Sequence, residues 1–147
     1  MADHVRKQIR DAIAAKLTGL ATTGNNVFVD WAYPLERASL PGLLIRTLPE
    51  SSQPITMPAP RRYQRSARFA VIVIAQLDSN VQDAVDQICK EVEIALAMPN
   101  GIAAAKAMTL LATQPDFSGE GIKPVGRAAM TYECVYYTAE NAPDIPR

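Results

Sequence analysis

RRYQRSARFAVIVIAQL, residues 61–77, decides the fold. It is a long β-pattern that begins polar, with Arg61, Arg62, Gln64, Arg65, Ser66 and Arg68, and ends apolar, from Phe69 through Ala75. Strand side chains alternate between faces, so Val71 and Val73 point one way and Ile72 and Ile74 the other. Both faces of the sheet are therefore apolar at this strand. At ~3.3 Å per residue the stretch spans roughly 55 Å. A compact chain of 147 residues is only about 40 Å across. The strand is too long to lie wholly on its own core. Its arginine-bearing first half is expected to project as a hairpin arm, paired with residues leading out of the preceding strand.

Upstream, residues 3–18 show helical spacing, with Val5, Ile9, Ala12, Ile13, Lys16 and Leu17 on one face and Arg6, Lys7, Arg10 and Asp11 on the other. Gly19 is placed to end that helix in the left-handed region. Residues 27–32 read as a short strand with Val27, Val29 and Trp31 on one side, and Pro34 and Pro41 bracket a loop containing Leu35, Glu36 and Arg37. Residues 42–48 form a second strand. Residues 49–60 hold Pro49, Pro54, Pro58 and Pro60, which fit neither a helix nor a central strand, so an extended arm spanning 49–68 is expected.

Downstream, residues 81–98 carry the apolar stripe Val81, Ala84, Val85, Ile88, Cys89, Val92, Ala95 and Leu96 of a second helix, with Ser79 or Asn80 as its N-cap. A further turn of helix is expected at 102–106. Strands follow at 108–114 and 127–138, joined by a Gly- and Pro-rich loop at 118–126. The last strand alternates, with Ala128, Met130, Tyr132, Cys134 and Tyr136 on one face. Residues 139–147 are expected to be a loose tail. The whole, residues 1–147, reads as one α+β domain in the order α-β-β-β-α-β-β: a mixed sheet of four to five strands, two main helices on one face and a long projecting β-hairpin arm. Two helices cover one face only, so Ile72 and Ile74 on the other are a possible interface unless part of this chain curls over them.

The 15 basic and 15 acidic residues cancel. That argues against a general nucleic-acid binder, which needs a basic excess, and removes a self-repulsion that opposes association. Charged residues make up 20% of the chain, below the ~25% of an average domain. The shortage fits a surface partly committed to subunit contacts, or ordinary scatter in a short chain. Cys89 and Cys134 sit in apolar-periodic segments outside any CxxC or Cys/His cluster, so buried free thiols in a reducing compartment are expected. No stretch nears the ~20 apolar residues of a membrane span, and the first residues lack a signal-peptide pattern. A soluble, cytoplasmic chain with no membrane partner is expected.

Catalytic chemistry finds no footing. His4 is the single histidine, and no cluster has metal-ligand spacing. No nucleophile elbow, phosphate loop or dinucleotide fingerprint is present. The glycines of Ser118-Gly119-Glu120-Gly121 do not open a helix, and the pairs Glu91 with Glu93 and Asp83 with Asp86 read as a solvated helix face. No catalytic residue, cofactor or metal is assigned, and no enzymatic activity is expected. The remaining constellation is Arg61, Arg62, Tyr63, Arg65 and Arg68 on the arm. It fits a contact surface for an acidic partner or for DNA phosphates, or charges that protect an edge strand from aggregation. The length of the strand favours a partner, and arginine favours bidentate contacts with a neighbour's carboxylates.

Several segments together resemble the tail terminator family of long-tailed bacteriophages, the group that includes the lambda minor tail protein U. They are RKQIRDAIAAKLTGLATTGNNVF at 6–28, PLERASLPGLLIRT at 34–47, the proline-rich arm with its arginine-led strand, DAVDQICKEVEIALA at 83–97 and VGRAAMTYECVYYT at 125–138. The resemblance implies a subunit of a hexameric ring. Such a ring caps the tail tube protein, stops its polymerisation, presents a surface to the head connector and lets DNA pass through its lumen. It also implies a place in the virion tail, assembled in the bacterial host cytoplasm. Alternatives are another head–tail joining or tail-completion protein, and a small ligand-binding α+β module with a defined pocket.

Overall fold

The computed structural model describes residues 3–29, 40–77, 79–118 and 124–147. The elements in chain order are α1 (Val5–Leu17), β1 (Val27–Val29), β2 (Gly42–Thr47), β3 (Ser51–Pro54), β4 (Arg62–Gln76), α2 (Val81–Leu96), β5 (Ala107–Ser118) and β6 (Val125–Ala139). The fold is α+β, with two helices and a mixed sheet of six strands in the order β1-β2-β4-β6-β5, β3 pairing with β4 beside β2. Trp31, the loop residues Leu35, Glu36 and Arg37, and Gly119 to Gly121 lie outside the described residues.

Residues 61–77 form the central strand. β4 runs antiparallel to β6 through an unbroken register from Arg62↔Ala139 to Gln76↔Val125. On its other side β2 pairs with Phe69–Ile74 and β3 with Tyr63–Ser66. The register shifts by one residue between β2 and β3, so the intervening Leu48, Pro49 and Glu50 hold one extra residue. Pro49 is accommodated in that interruption, where no ladder donor is needed.

The sixth strand, β3, is the partner expected for the arginine-bearing half of β4, leading out of β2, although its residues carry no strand pattern of their own. Residues 51–54 are polar and end in Pro54, which suggests a loop, yet they pair along β4 as an exposed edge strand, where an outward-facing proline costs little. β5 is likewise longer than expected and runs across Pro115 with a bulge between Leu110 and Ala112. Residues 102–106 make a turn, closed by the Ala105 N–H donating to the Ile102 carbonyl, rather than a helix.

One core lies between the helices and one sheet face. It gathers Val5, Ile9, Ile13 and Leu17 of α1 and Val81, Val85, Ile88, Cys89, Val92 and Leu96 of α2. Below them are Ala67, Phe69, Val71, Val73 and Ala75 of β4 and the even-numbered residues 128–136 of β6. These are the stripes that periodicity marks, and β6 alternates buried and half-buried along its whole length. The opposite face is less bare than expected. Leu44 is fully buried there, Ala70 and Ile74 nearly so, and Ile72 half-buried. At 3% exposure Ile74 is not accessible to a partner of this chain. Of the pair expected to form an interface, only Ile72 keeps an exposed part.

The C-terminal residues are not loose. The Val5 N–H donates to the Pro143 carbonyl, Gln8 Nε2 to the Asp144 carbonyl and the Arg147 N–H to the Tyr137 carbonyl. Unsatisfied backbone groups at the start of α1 and at the open edge of β6 hold the segment down.

At Gly126 α2 packs directly on the sheet backbone. A Cβ there would lie 2.8 Å from Val85 Cγ2, 2.9 Å from Val81 Cγ2 and 3.1 Å from Phe117 Cδ1. Gly126→Ala is therefore expected to destabilise the fold by about 1–3 kcal/mol in urea titration. Val85→Ala in the same chain should relieve part of that loss, giving a less than additive double mutant.

Candidate functional site

Alternation along β4 divides the arginine constellation. Tyr63, Arg65 and Ala67 share the helix-facing side, while Arg62, Gln64, Ser66 and Arg68 point to the opposite one. Arg62 stacks over the Tyr137 ring, 5.1 Å from its centroid. Arg68 faces Glu133 across the ladder at 3.6 Å, an exposed pair of small energetic weight. Arg61 precedes the strand, and its carbonyl accepts from the Glu140 N–H. These residues therefore do not form one surface.

Arg65 is recruited inward. Its Nε donates to Thr138 Oγ1 at 2.9 Å, its Nη1 lies 3.6 Å from Glu50 Oε2, and its guanidinium sits 5.5 Å from the Tyr63 ring centroid. Glu50, in the break between β2 and β3, is the acceptor at the centre of this cluster. Its other partners are Arg6 Nη1 at 2.9 Å and the hydroxyl of the fully buried Tyr136 at 2.5 Å. A carboxylate 9% exposed is tolerable only with such partners. Sequence reading missed Glu50 because a single acid after a proline carries no periodic signal. The partial clue was the intrusion of Arg65 into an otherwise apolar face.

His4 caps α1 beside this cluster. Its Nδ1 accepts from the Arg6 backbone N–H at 3.1 Å, which requires that nitrogen to be unprotonated. Burial, then the charges of Arg6 and Arg65, lower its pKa below the ordinary histidine value, against the opposing charges of Glu50 and Asp144. Glu91, expected on a solvated face, instead ties α2 to the loop after α1. It accepts from the Thr22 N–H at 2.9 Å, from Thr22 Oγ1 and from Gln87 Nε2. Burial pushes its pKa up, but these hydrogen bonds prevail and the carboxyl titrates below its usual value.

Both cysteines are free and buried. Burial raises Cys134 to about 12, and burial with the charges of Asp86 and Glu93 raises Cys89 to about 11, so both remain thiols at neutral pH. No group of three or more His, Cys, Asp or Glu among the described residues could hold a metal ion. No helix among them is long and apolar enough to cross a membrane.

What extends outward is the hairpin end. Every residue from Ser51 to Arg62 is exposed, Met57 at 89% and Ile55 at 44%. Thr56, Pro60, Arg62, Ala139 and Arg147 line an open groove at the base of the turn. The expectation that the whole first half of the strand projects is corrected accordingly. β6 flanks β4 to its first residue, Arg65 is built into the body, and on this strand the part that projects beyond the ladder lies before Arg62.

Two outcomes test this arrangement. Tyr136→Phe removes one donor from buried Glu50 and should cost about 1–3 kcal/mol in chemical denaturation. With a lowered native pKa, His4 binds its proton more weakly folded than unfolded. Its contribution is present above the unfolded value near 6.5 and is lost as pH falls through the lower native value. The melting temperature of the native chain should therefore fall between pH 7 and pH 5. His4→Asn, which caps without titrating, should melt with a shallower pH dependence over that window.

No family model matches the chain, and no curated protein matches it. Among solved structures the chain is similar to one from the virion of a native gene transfer agent particle, with a TM-score of 0.42 and 16% sequence identity over 90% of this chain and 92% of that one.

Proposed function

We propose that this chain is a phage tail terminator. In this reading its copies form a hexameric ring that caps the tail tube, stops tube polymerisation and offers the surface that joins the head connector. It works by assembly and without catalysis, in the virion tail, after being made in the host cytoplasm, and DNA passes through its lumen. The observation that carries the reading is the unbroken exposed run from Ser51 to Arg62 on the end of a long ladder. A hairpin that keeps Met57 and Ile55 in water gains nothing for its own fold. Its ordering is supported when it docks on something else. The resemblance in segment order to tail terminators supplies the identity of that larger assembly.

The structure also sets where the arm can be cut. Removing residues 51–65 would take away Arg65 and strip β4 of its β3 partner, so loss of assembly could not be separated from loss of fold. The Ile55 N–H donates to the Arg62 carbonyl at 2.8 Å, and a two-residue Asn-Gly turn in place of residues 56–61 closes that pair. This variant should melt within a few degrees of the native chain yet fail to form rings, read by native mass and negative-stain images of protein alone and with tail tube protein. Native protein that stays monomeric both alone and on tubes would sink the terminator reading. Rings formed by the shortened variant would remove the arm from it.

A further inference from the structure

We infer that the arm of one copy docks on the outer face of α2 of a second copy, its arginines meeting that helix's carboxylates; this rests on the ring reading above. Two surfaces carry the inference. At the arm, Arg61, Arg62 and Arg147 are exposed against Glu140, and Arg62 and Arg147 share one groove. On α2, Asp83, Asp86 and Glu93 are exposed against Lys90, and the 100° helical step places these residues and Ile94 within one face. The first surface is basic and the second acidic. The two most exposed large apolar side chains among the described residues, Met57 at 89% and Ile94 at 68%, fall one in each.

Position excludes a contact within one copy. The arm leaves the sheet at Arg62↔Ala139, whereas the first turns of α2 sit over Gly126, which pairs with Ala75. Thirteen strand residues at ~3.3 Å separate those levels by about 40 Å along a single ladder. Asp83 and Asp86 lie at that far end. Glu93 and Ile94, about 15 Å further along the helix at a 1.5 Å rise, lie nearer mid-ladder, where Glu93 acts on Tyr132, the partner of Phe69. The arm still leaves the sheet seven residues beyond that level. The patches therefore meet between copies, in a head-to-tail contact that closes into a ring when the rotation allows. Opposite charge fixes the register of such a contact and steers wrong pairings away. Both patches are exposed, so the attraction weakens as salt rises.

A charge-swap mixture tests this. Arg61→Glu with Arg62→Glu makes a chain acidic at both patches, and Asp83→Lys with Asp86→Lys makes one basic at both. Circular dichroism melts establish that each is folded. In sedimentation velocity, with tail tube protein as nucleus where needed, each variant alone should assemble roughly tenfold or more weakly than the native chain. An equimolar mixture should recover assembly, because acidic arms meet basic helices and basic arms meet acidic helices in alternating copies. If either variant proves unfolded, Arg62→Gln with Asp83→Asn replaces it, and the salt dependence of assembly should shrink. A mixture no better than its components, or single variants that assemble like the native chain, overturns the docking while leaving the ring intact. Native chain that never assembles sinks the ring and the docking together. If the arginines instead hold DNA, the acidic-arm variant loses retention on duplex DNA and mixing restores no assembly, which also overturns the docking.

Discussion

The antiparallel ladder between β4 and β6 sets the scale to which every other element is fitted. It runs without a break from Arg62↔Ala139 to Gln76↔Val125, close to 50 Å at ~3.3 Å per residue. The helices are 13 and 16 residues long, about 20 and 24 Å at a 1.5 Å rise. Neither can cover the ladder lengthwise, so the core forms where they lie and one end of the sheet stays outside it. α2 takes the end at Gly126, held close by the missing Cβ there. α1 brings its first turn towards the other end, where Arg6 reaches Glu50. The arm is what remains when two short helices meet a long strand pair.

Along the helix-facing side of β4 the residues change from Val73, Val71, Phe69 and Ala67 to Arg65 and Tyr63. Arg65 marks the end of the core, and Glu50 compensates its charge as an ion pair while accepting hydrogen bonds from Arg6 and from Tyr136. Four parts of the chain meet there: α1, the break after β2, β4 and β6. The C-terminal residues join through Pro143 and Asp144, whose carbonyls accept from Val5 and Gln8. A polar cluster of this kind adds little net stability over apolar packing. Its geometry is demanding, however, and it ties Glu50, between β2 and β3, to α1, β4 and β6.

The helices, the central strand and the closing strand were legible because burial imposes a period. Val5, Ile9, Ile13 and Leu17 repeat at helical spacing, and Met130, Tyr132, Cys134 and Tyr136 lie on the face where even-numbered positions fall. β3 was legible only as the partner that a hairpin arm requires, and its bounds were not, because an exposed edge strand has no face to bury and Ser51 to Pro54 carry no alternation. The arginines misled for a related reason. As a string they form one basic group, but a strand sends Arg62 and Arg65 to opposite faces, one onto Tyr137 and the other into the Glu50 cluster. Glu50, Glu91 and the C-terminal hydrogen bonds join residues far apart in the chain, which no local pattern encodes.

A formal net charge of zero conceals how the charges are distributed. Lys7 is absorbed by Asp3 and Asp11 on its own helix, Arg68 by Glu133 and Arg65 by Glu50. The pairs cancel locally and leave the arm basic and the face of α2 acidic, at separate places along the ladder. In the docking proposed above, a rigid body with separated opposite charges presents different surfaces fore and aft, through which like copies would attract one another. Long-range repulsion does not oppose that approach, because the total is zero. The balance that weighed against a nucleic-acid binder is thus the condition under which identical subunits can close on one another.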